Sequence, residues 1–533
     1  MAPGGSGSGS GGGRNIPLAR QTSLPARLPS PPPKRKGGLE GAAAPDKPRS
    51  SFNIQLPGRE VNPTPHKASS TQQQQDLGEK HVIAMVGLPA RGKSYMASKL
   101  TGYLSFFHGA VVRIFNLGEY RRRLYGPHAP DSFFSPDNPE GVAKRAECAR
   151  MAMKDMIDFL FQESGVEGLQ MKNVHSGRIG IFDATNSTRE RRRWIRDQLV
   201  GLPVKLIFIE SCCDDKLTVK NNIWTSKVNN QDYKNVEEQA AYSDFRKRIA
   251  QYEKMYASLD ESEYAWIKLI NSGQRVVINN IHGFLPGRIV QFLSNIHATH
   301  KPLYLSRHGQ SEYNLSGKIG GDSGLTAAGA KYAEALGRFA ADHIQLGPDG
   351  KPRRTRLWTS SMRRTIDTVA RVPHPKLADG WMQMSHRVYR QLDELYAGIC
   401  DGMTYEEIEE TYPEEFQHRK EDKLAYRYPR GESYLDIVSR LEPLVHEMES
   451  YRQPLLIVGH QAVLRLVYAY FAGVSREEAP RLSIPLNTVI ELTPNAAGDK
   501  YFEKRTVLEP GTVSLSDGQQ DPALAGKHDP PSH

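Results

Sequence analysis

The chain is 533 residues long and 38% hydrophobic, with a formal charge of +10 and four cysteines. That length exceeds what one hydrophobic core serves, so two or more domains are expected; no apolar run nears the roughly 18 residues of a membrane span, and the start lacks an apolar signal segment. The cysteines Cys148, Cys212, Cys213 and Cys400 include an adjacent pair and suit a reducing, cytoplasmic compartment with no membrane partner, while the positive charge suits nucleic acid and phosphorylated metabolites alike.

Residues 1–78 are rich in Gly, Ser, Pro and Gln with almost no periodic apolar pattern, so they cannot offset their chain entropy and are expected to be a disordered regulatory arm. Within it Arg20-Gln-Thr-Ser23 places a serine three residues after an arginine. That makes Ser23 a candidate phosphorylation site for a protein kinase acting on the arm. A plain solvated tail is the alternative.

The next element, an apolar strand over 82–86, runs into Gly87-Leu88-Pro89-Ala90-Arg91-Gly92-Lys93-Ser94. This is the G-x-x-x-x-G-K-[ST] spacing of a phosphate-binding loop. Its glycines let the backbone curl so that N–H groups face an anion, and the following helix adds its positive end. Lys93 would reach the β- and γ-phosphates and Ser94 would offer its hydroxyl to Mg²⁺, so ATP or GTP is the expected ligand. A chance glycine-rich turn is disfavoured by the strand–loop–helix order.

Further strands are expected over 111–115, 179–182, 205–209 and 266–270, with helical segments such as 141–161 between them. The fold class is therefore α/β, a parallel sheet covered by helices on both faces. Asp183 closes the third strand, where a Mg²⁺-holding carboxylate belongs; it could instead cap a helix over 187–199. Arginines cluster at 121–123, 145, 189–193 and 248. Most would be solvated faces, but those just beyond strand ends suit an anionic sugar-phosphate acceptor.

A second unit starts near Lys301. A strand over 302–306 ends in Arg307-His308-Gly309, and another over 454–459 ends in His460-Gln461. With no CxxC or HExxH spacing, two strand-ending histidines point away from metal. A neutral imidazole attacks phosphorus, and neighbouring cations such as Arg307 and Arg364 would keep it unprotonated while gripping phosphate oxygens. Residues 509–533 read as a flexible tail.

The motifs GLPARGKS, FNLGEYRR, FDATNSTRERR, ESCCDD, NIWTSK and FRKRIAQYE, followed by RHG, IGGDSGL, WTS, TYEEI, YPEEF, RYPRGESY and GHQAVLR, resemble the bifunctional 6-phosphofructo-2-kinase/fructose-2,6-bisphosphatase family. The resemblance implies a P-loop NTPase-like kinase domain over 79–298 and a histidine-phosphatase domain over 299–508. It also implies ATP with Mg²⁺, the substrates fructose 6-phosphate and fructose 2,6-bisphosphate, and a homodimer.

The resemblance carries roles residue by residue. Residues 87–94, Asn222 and Lys227 would bind ATP, with Asp183 the acidic partner of Ser94 at the metal. Arg121 or Arg122, Arg145, Thr185, Arg191, Lys227, Arg248 and Tyr252 would hold fructose 6-phosphate. Cys213 matches a position marked as active-site, without an evident chemical role; a buried inert thiol is the alternative. Downstream, His308 would become phosphohistidine, with Arg307, Asn314, Arg364 and His460 holding the transferring group and Glu394 as acid then base. Gly320, Tyr405, Arg419, Lys423, Tyr434, Gln461 and Arg465 would grip the sugar and its 6-phosphate.

Four departures from the family pattern stand out: Gln310 where the family reads RHGE, Tyr396 where an acidic residue follows Glu394, an insertion-like 126–130, and Asn487 in place of His. They raise the expectation of a shifted pH profile or kinase-to-phosphatase ratio. Competing readings are one degenerate activity, a non-catalytic metabolite sensor, and a polynucleotide kinase-phosphatase. The last would use an aspartate nucleophile and stacking aromatics among its basic clusters, which are sparse here.

Overall fold

The computed structural model describes residues 79–162, 177–225, 231–297, 301–495, 498 and 500–508; Ser23 and Lys227 lie outside these. The strands in chain order are β1 Lys80–Val86, β2 Val111–Asn116, β3 Arg178–Asp183, β4 Val204–Cys212, β5 Trp266–Ile270, β6 Arg275–Asn279, β7 Leu303–Arg307, β8 Thr355–Thr359, β9 Met384–Val388, β10 Leu455–Gly459, β11 Thr488–Pro494 and β12 Tyr501–Val507. They form two six-stranded sheets, ordered β2-β3-β1-β4-β5-β6 and β12-β11-β7-β10-β8-β9.

All five strands expected upstream are present. The first sheet departs from the expected parallel one at its edge, because β6 pairs antiparallel with β5. A tight turn makes this possible: Asn271, Ser272 and Gly273 take φ of 50°, 56° and 85°, which reverses the chain in too few residues for a helical crossover. The apolar run of β1 is continuous because both faces are covered. Val82, Ala84 and Val86 pack with Ala149, Met153 and Met156 of the helix Pro139–Phe161. Ile83 and Met85 pack with Leu100 and Leu104 of the helix Lys93–His108 and Phe292 of the helix Phe284–Asn295.

In the second sheet β7, β10, β8 and β9 run parallel, with β11 and β12 added antiparallel. Leu305 and Ile457 face the helices Tyr434–Ser450 and Gln461–Ala472. Tyr304, Leu456 and Val458 face the helix Ala327–Phe339. The helix leaving the phosphate loop also docks on Tyr434–Ser450: Lys99 Nζ lies 3.0 Å from Glu449 Oε1, and the Tyr103 hydroxyl donates to Glu442 Oε1 at 2.6 Å. Breaking a buried ion pair by removing one partner costs about 3–5 kcal/mol, so the Lys99–Glu449 contact fastens the helix Lys93–His108 to the helix Tyr434–Ser450.

Candidate active sites

Upstream, the loops at the C-terminal edge of β1, β3 and β4 converge. The backbone N–H of Gly87 donates to Thr185 O at 2.9 Å. Gly87 has φ 134°, and a Cβ there would lie 2.5 Å from Ser211 O, so only glycine fits. Ala90 and Gly92 also take positive φ, 58° and 85°, which curls the loop into a concave row of N–H groups. Lys93 Nζ donates to Leu88 O at 2.6 Å and Asn222 Nδ2 to Ala90 O at 3.1 Å. The buried Asp183 accepts from Ser94 Oγ at 2.8 Å and Asn116 Nδ2 at 2.6 Å. The next helix is capped by the Thr188 side chain; Asp183 is therefore not its N-cap and is committed to Ser94. A carboxylate and a hydroxyl meeting at one point are hard oxygen donors of the kind Mg²⁺ takes, so these residues fit a nucleotide-bound metal.

Beside this loop lies a pocket of guanidinium groups. Arg121 Nη2 donates to both carboxylate oxygens of Asp232 at 2.5 Å, and Arg122 and Arg248 approach the same carboxylate at 3.8 and 3.6 Å. Arg248 stacks 3.7 Å above the Phe134 ring, and Arg145 donates to Phe133 O and Ser135 O. The segment 126–130 leads directly into this Asp131–Phe134 turn, where the Phe133 N–H donates to Pro130 O at 3.0 Å, so the insertion-like stretch joins the turn that carries Phe133 and Phe134. Arg191 stacks on Trp194 and burial pulls its pKa down to about 10. Tyr252 lies against Phe134 with ring centroids 6.0 Å apart. Of the remaining arginines, Arg123 turns away over Tyr120 and Arg192 is wholly buried on Glu261 and Ala257 O.

Downstream, β7 and β10 lie side by side and deliver their terminal residues to one point: the His308 N–H donates to Gly459 O at 3.0 Å. The His308 and His460 ring centroids are 5.2 Å apart. His308 Nδ1 donates to Gly309 O at 2.7 Å, since a carbonyl only accepts. Its Nε2 therefore carries the lone pair, which receives Arg364 Nε–H at 3.2 Å. His460 Nε2 pairs with Ser360 Oγ at 2.7 Å. Burial, then the Arg364 charge, pulls His308 down to about 3; burial, Arg364 and His308 hold His460 well below its ordinary value. Arg307 is lowered to about 10, chiefly by burial. Among the described residues, Arg307 Nε and His460 Nδ1 are buried with no hydrogen-bond partner. Buried polar groups normally have one, and phosphoryl oxygens would supply it. Glu394 Oε1 accepts from the Leu395 and Ala462 N–H groups at 2.9 and 3.2 Å. It lines a cavity of about 590 Å³ together with Gly320, Asp322, Asp393 and Arg440.

A second cation group lies close by. Arg419 donates to the Tyr405 hydroxyl at 2.9 Å and Arg465 to the Tyr434 hydroxyl at 3.1 Å. Burial, with Arg465, Arg419 and Arg481, lowers Lys423 to about 8. This cluster suits a phosphate away from the imidazoles.

The 6-phosphofructo-2-kinase family model matches residues 67–300, and that of the histidine phosphatase superfamily (branch 1) matches residues 303–503. The chain is 42% identical over 421 residues to the 6-phosphofructo-2-kinase/fructose-2,6-bisphosphatase 3 of Rattus norvegicus, covering 78% of this chain and 70% of that one. The chain belongs to the 6-phosphofructo-2-kinase/fructose-2,6-bisphosphatase family. The Caenorhabditis elegans member is 43% identical over 427 residues, 78% of this chain and 87% of its own. The Arabidopsis thaliana member is 43% identical over 83% of this chain, a match spanning only 56% of its own length. Kinase and phosphatase domains are thus both present in one enzyme chain.

Against the family's pattern, the departures fall outside the imidazole pair. The Gln310 side chain accepts from Thr326 Oγ1 at 3.0 Å, at the cap of the helix Ala327–Phe339. Tyr396 is half exposed, and its N–H donates to Glu432 Oε2 at 3.1 Å, so the cavity keeps carboxylates at Asp322, Asp393 and Glu432. Asn487 takes φ 55°, which asparagine tolerates. Asn314 closes a capping box with Ser311, which occupies its carbonyl oxygen. Gln461 opens the helix that carries Arg465. Cys213 is buried, and burial raises its thiol above the ordinary value, the opposite of an activated nucleophile. Sequence reasoning missed Asp232, Phe134, Asn116, Ser360 and Arg440. Only Asn116 and Ser360 had a signal, as they lie inside the FNLGEYRR and WTS stretches.

Gly320 links two parts of the phosphatase site. It takes φ 69°, and a Cβ would fall 1.8 Å from Asp401 Oδ1. The Asp401 carboxylate is itself held by Gly321 N–H at 3.0 Å, and Gly321 O receives Arg364 Nη1 at 2.7 Å. Gly320→Ala is expected to lower kcat/KM for hydrolysis about tenfold, through strain of order 1–3 kcal/mol passed to Arg364. Synthesis should be unchanged, and steady-state assays of both reactions on one preparation check it.

Proposed function

We propose that the enzyme phosphorylates the 2-hydroxyl of fructose 6-phosphate with ATP and hydrolyses the resulting 2-phosphate through a phosphohistidine, in domains spanning 79–298 and 299–508. It acts in the cytoplasm, as a homodimer, under control of a protein kinase that modifies Ser23. Supporting this reading, one chain holds two phosphate-handling centres of different chemistry: a loop with Ser94 on Asp183 at 2.8 Å, and a neutral His308 under Arg364 at 3.2 Å.

In the kinase half the loop N–H groups and Lys93 bind the triphosphate. Mg²⁺, when bound, neutralises the β- and γ-phosphate charge, and Ser94 and Asp183 would hold it. Arg121, Arg122, Arg145, Arg191 and Arg248, with Thr185, Tyr252 and Lys227, orient the sugar phosphate. Rate comes from positioning and charge stabilisation, which a loose phosphoryl-transfer transition state favours over a strong base.

In the phosphatase half His308 Nε2 forms a bond to phosphorus as the bond from phosphorus to the fructose 2-oxygen breaks. The departing oxygen takes its proton from Glu394. Arg307, Arg364, Asn314 and His460 hold the phosphoryl oxygens. Water then attacks phosphorus and gives its proton to Glu394, and inorganic phosphate leaves as His308 returns neutral. Arg419, Lys423 and Arg465 keep the 6-phosphate in place, with Gly320, Tyr405, Tyr434 and Gln461 around the sugar.

Purified full-length protein supplied with ATP, Mg²⁺ and fructose 6-phosphate is expected to form a bisphosphate whose 2-phosphate is acid-labile, and to release phosphate from that product. Formation of a 1,6-bisphosphate, or no sugar phosphorylation at all, would refute the reading.

A further inference from the structure

A carboxylate is out of place in a pocket meant for a phosphate, and Asp232 is such a group. It is 5% exposed and Arg121, its closest partner, 4%. Three guanidinium groups face it. It is either a counter-ion that an incoming phosphate expels, or a fixed part of the site.

Three observations separate these. The first is anchorage. Asp232 lies in the Gln231–Tyr233 turn, and Tyr233 is buried against Phe245 and Ile249 of the helix Glu238–Glu253, with its hydroxyl donating to Asp244 Oδ2 at 2.6 Å. The same cluster includes Ala90 of the phosphate loop, so moving Asp232 aside would disturb the packing beneath the nucleotide site. Second, the donors are only half used. Arg121 gives Nη2 to Asp232, while Arg121 Nη1 and Arg248 Nε are buried without a hydrogen-bond partner among the described residues. A guanidinium is a rigid planar fork, so fixing one edge aims the other. Third, the carboxylate is shared: Arg121, Arg122 and Arg248 all pair with it, and expelling it would strand a buried charge without those partners.

We infer that Asp232 is a positioning residue of the kinase half: it holds Arg121, Arg122 and Arg248 by one edge so that their remaining donors meet the phosphate of the sugar substrate, and it stays in place when that phosphate binds. This rests on the sugar-phosphate assignment proposed above. Among the described residues no ion pair joins a carboxylate to Arg419, Lys423 or Arg465, and Lys423 is instead depressed by burial and by Arg465, Arg419 and Arg481 around it.

The test uses the full-length enzyme with Asp232→Asn, Asp232→Glu and Arg248→Gln, assaying both reactions. Asp232→Asn is expected to raise KM for fructose 6-phosphate about tenfold or more, with kcat falling less than that. KM for ATP and the hydrolysis rate should stay within about twofold. Asp232→Glu should recover part of the loss, which mere disruption of the fold would not permit. If Asp232→Asn shows no measurable synthesis, calorimetric titration with fructose 6-phosphate reads the same affinity directly and is expected to show the same weakening. An unchanged affinity overturns the inference, and a lower KM shows instead that the carboxylate competes with the substrate. Arg248→Gln separates the two levels: if it leaves KM for fructose 6-phosphate unaltered, the pocket assignment itself fails; if it raises KM while Asp232→Asn does not, only the role of Asp232 falls.

Discussion

His308→Ala is expected to abolish hydrolysis of fructose 2,6-bisphosphate, by at least about a thousand-fold in kcat, while synthesis continues at the wild-type rate. Loss of a nucleophile removes a whole covalent step, and effects of that kind run from roughly a thousand-fold to a million-fold. Nothing nearby is placed to replace it: His460 Nε2 is tied to Ser360 Oγ, its Nδ1 serves as the N–H that meets a phosphoryl oxygen and so carries no lone pair, and Arg307 and Arg364 are cations. The kinase half should be spared because its phosphate loop, Asp183 and arginine pocket belong to the other sheet. Bisphosphate carrying a radioactive 2-phosphate provides the readout. Label should be trapped on His308 in the wild type and be absent from the variant; label retained after His308→Ala would remove the nucleophile assignment.

The pH dependence of that labelling follows from the direction of the His308 shift. Burial and Arg364 lower it to about 3, from an unperturbed value near 6.5, so the folded enzyme keeps His308 neutral between those values while the unfolded chain would protonate it. Labelling should therefore persist at pH 5. The same depression means that the histidine's contribution to stability, fully present above about 6.5, is lost progressively as pH falls towards 3.

Much of both sites was legible because the sequence carries chemistry at strand ends, where an open sheet binds ligands. The phosphate loop, Asp183, Arg307-His308 and His460 each follow an apolar strand in sequence, and the adjacency of β1 with β3 and of β7 with β10 brings their ends together. What was not legible depends on contacts between distant residues. Asp232 sits in the polar stretch Asn229-Asn230-Gln231-Asp232 and reads as a loop; its meaning comes only from meeting Arg121 and Arg248. Likewise, three consecutive arginines look equivalent, yet helical geometry turns Arg123 away from the two that face Asp232. The edge strand β6 was hidden because its residues carry no crossover signal, and the turn before it includes a left-handed Ser272, a residue not usual there. The docking of Tyr103 on Glu442 spans 339 residues, beyond any periodic pattern.

Lys93→Met should give the mirror-image result, and it tests whether the two centres act separately. The ammonium donates to Leu88 O of the phosphate loop at 2.6 Å, from where it can turn to the β- and γ-phosphates when nucleotide enters. Methionine keeps most of the stem's apolar packing and removes only the charge, so helix Lys93–His108 should keep its place on Glu442 and Glu449. Removing one such charge from a preorganised site costs roughly a hundred- to a thousand-fold in rate, seen here as loss of kcat for synthesis. Hydrolysis should hold within about twofold, because His308, Glu394 and the Arg419–Lys423–Arg465 cluster do not touch Lys93. If hydrolysis fell in parallel, the contacts of Lys99 and Tyr103 with the helix carrying Tyr434 would be carrying more than alignment, and the phosphate loop would have to be treated as a regulator of the imidazole site. A normal urea midpoint for the variant would then separate that coupling from simple unfolding.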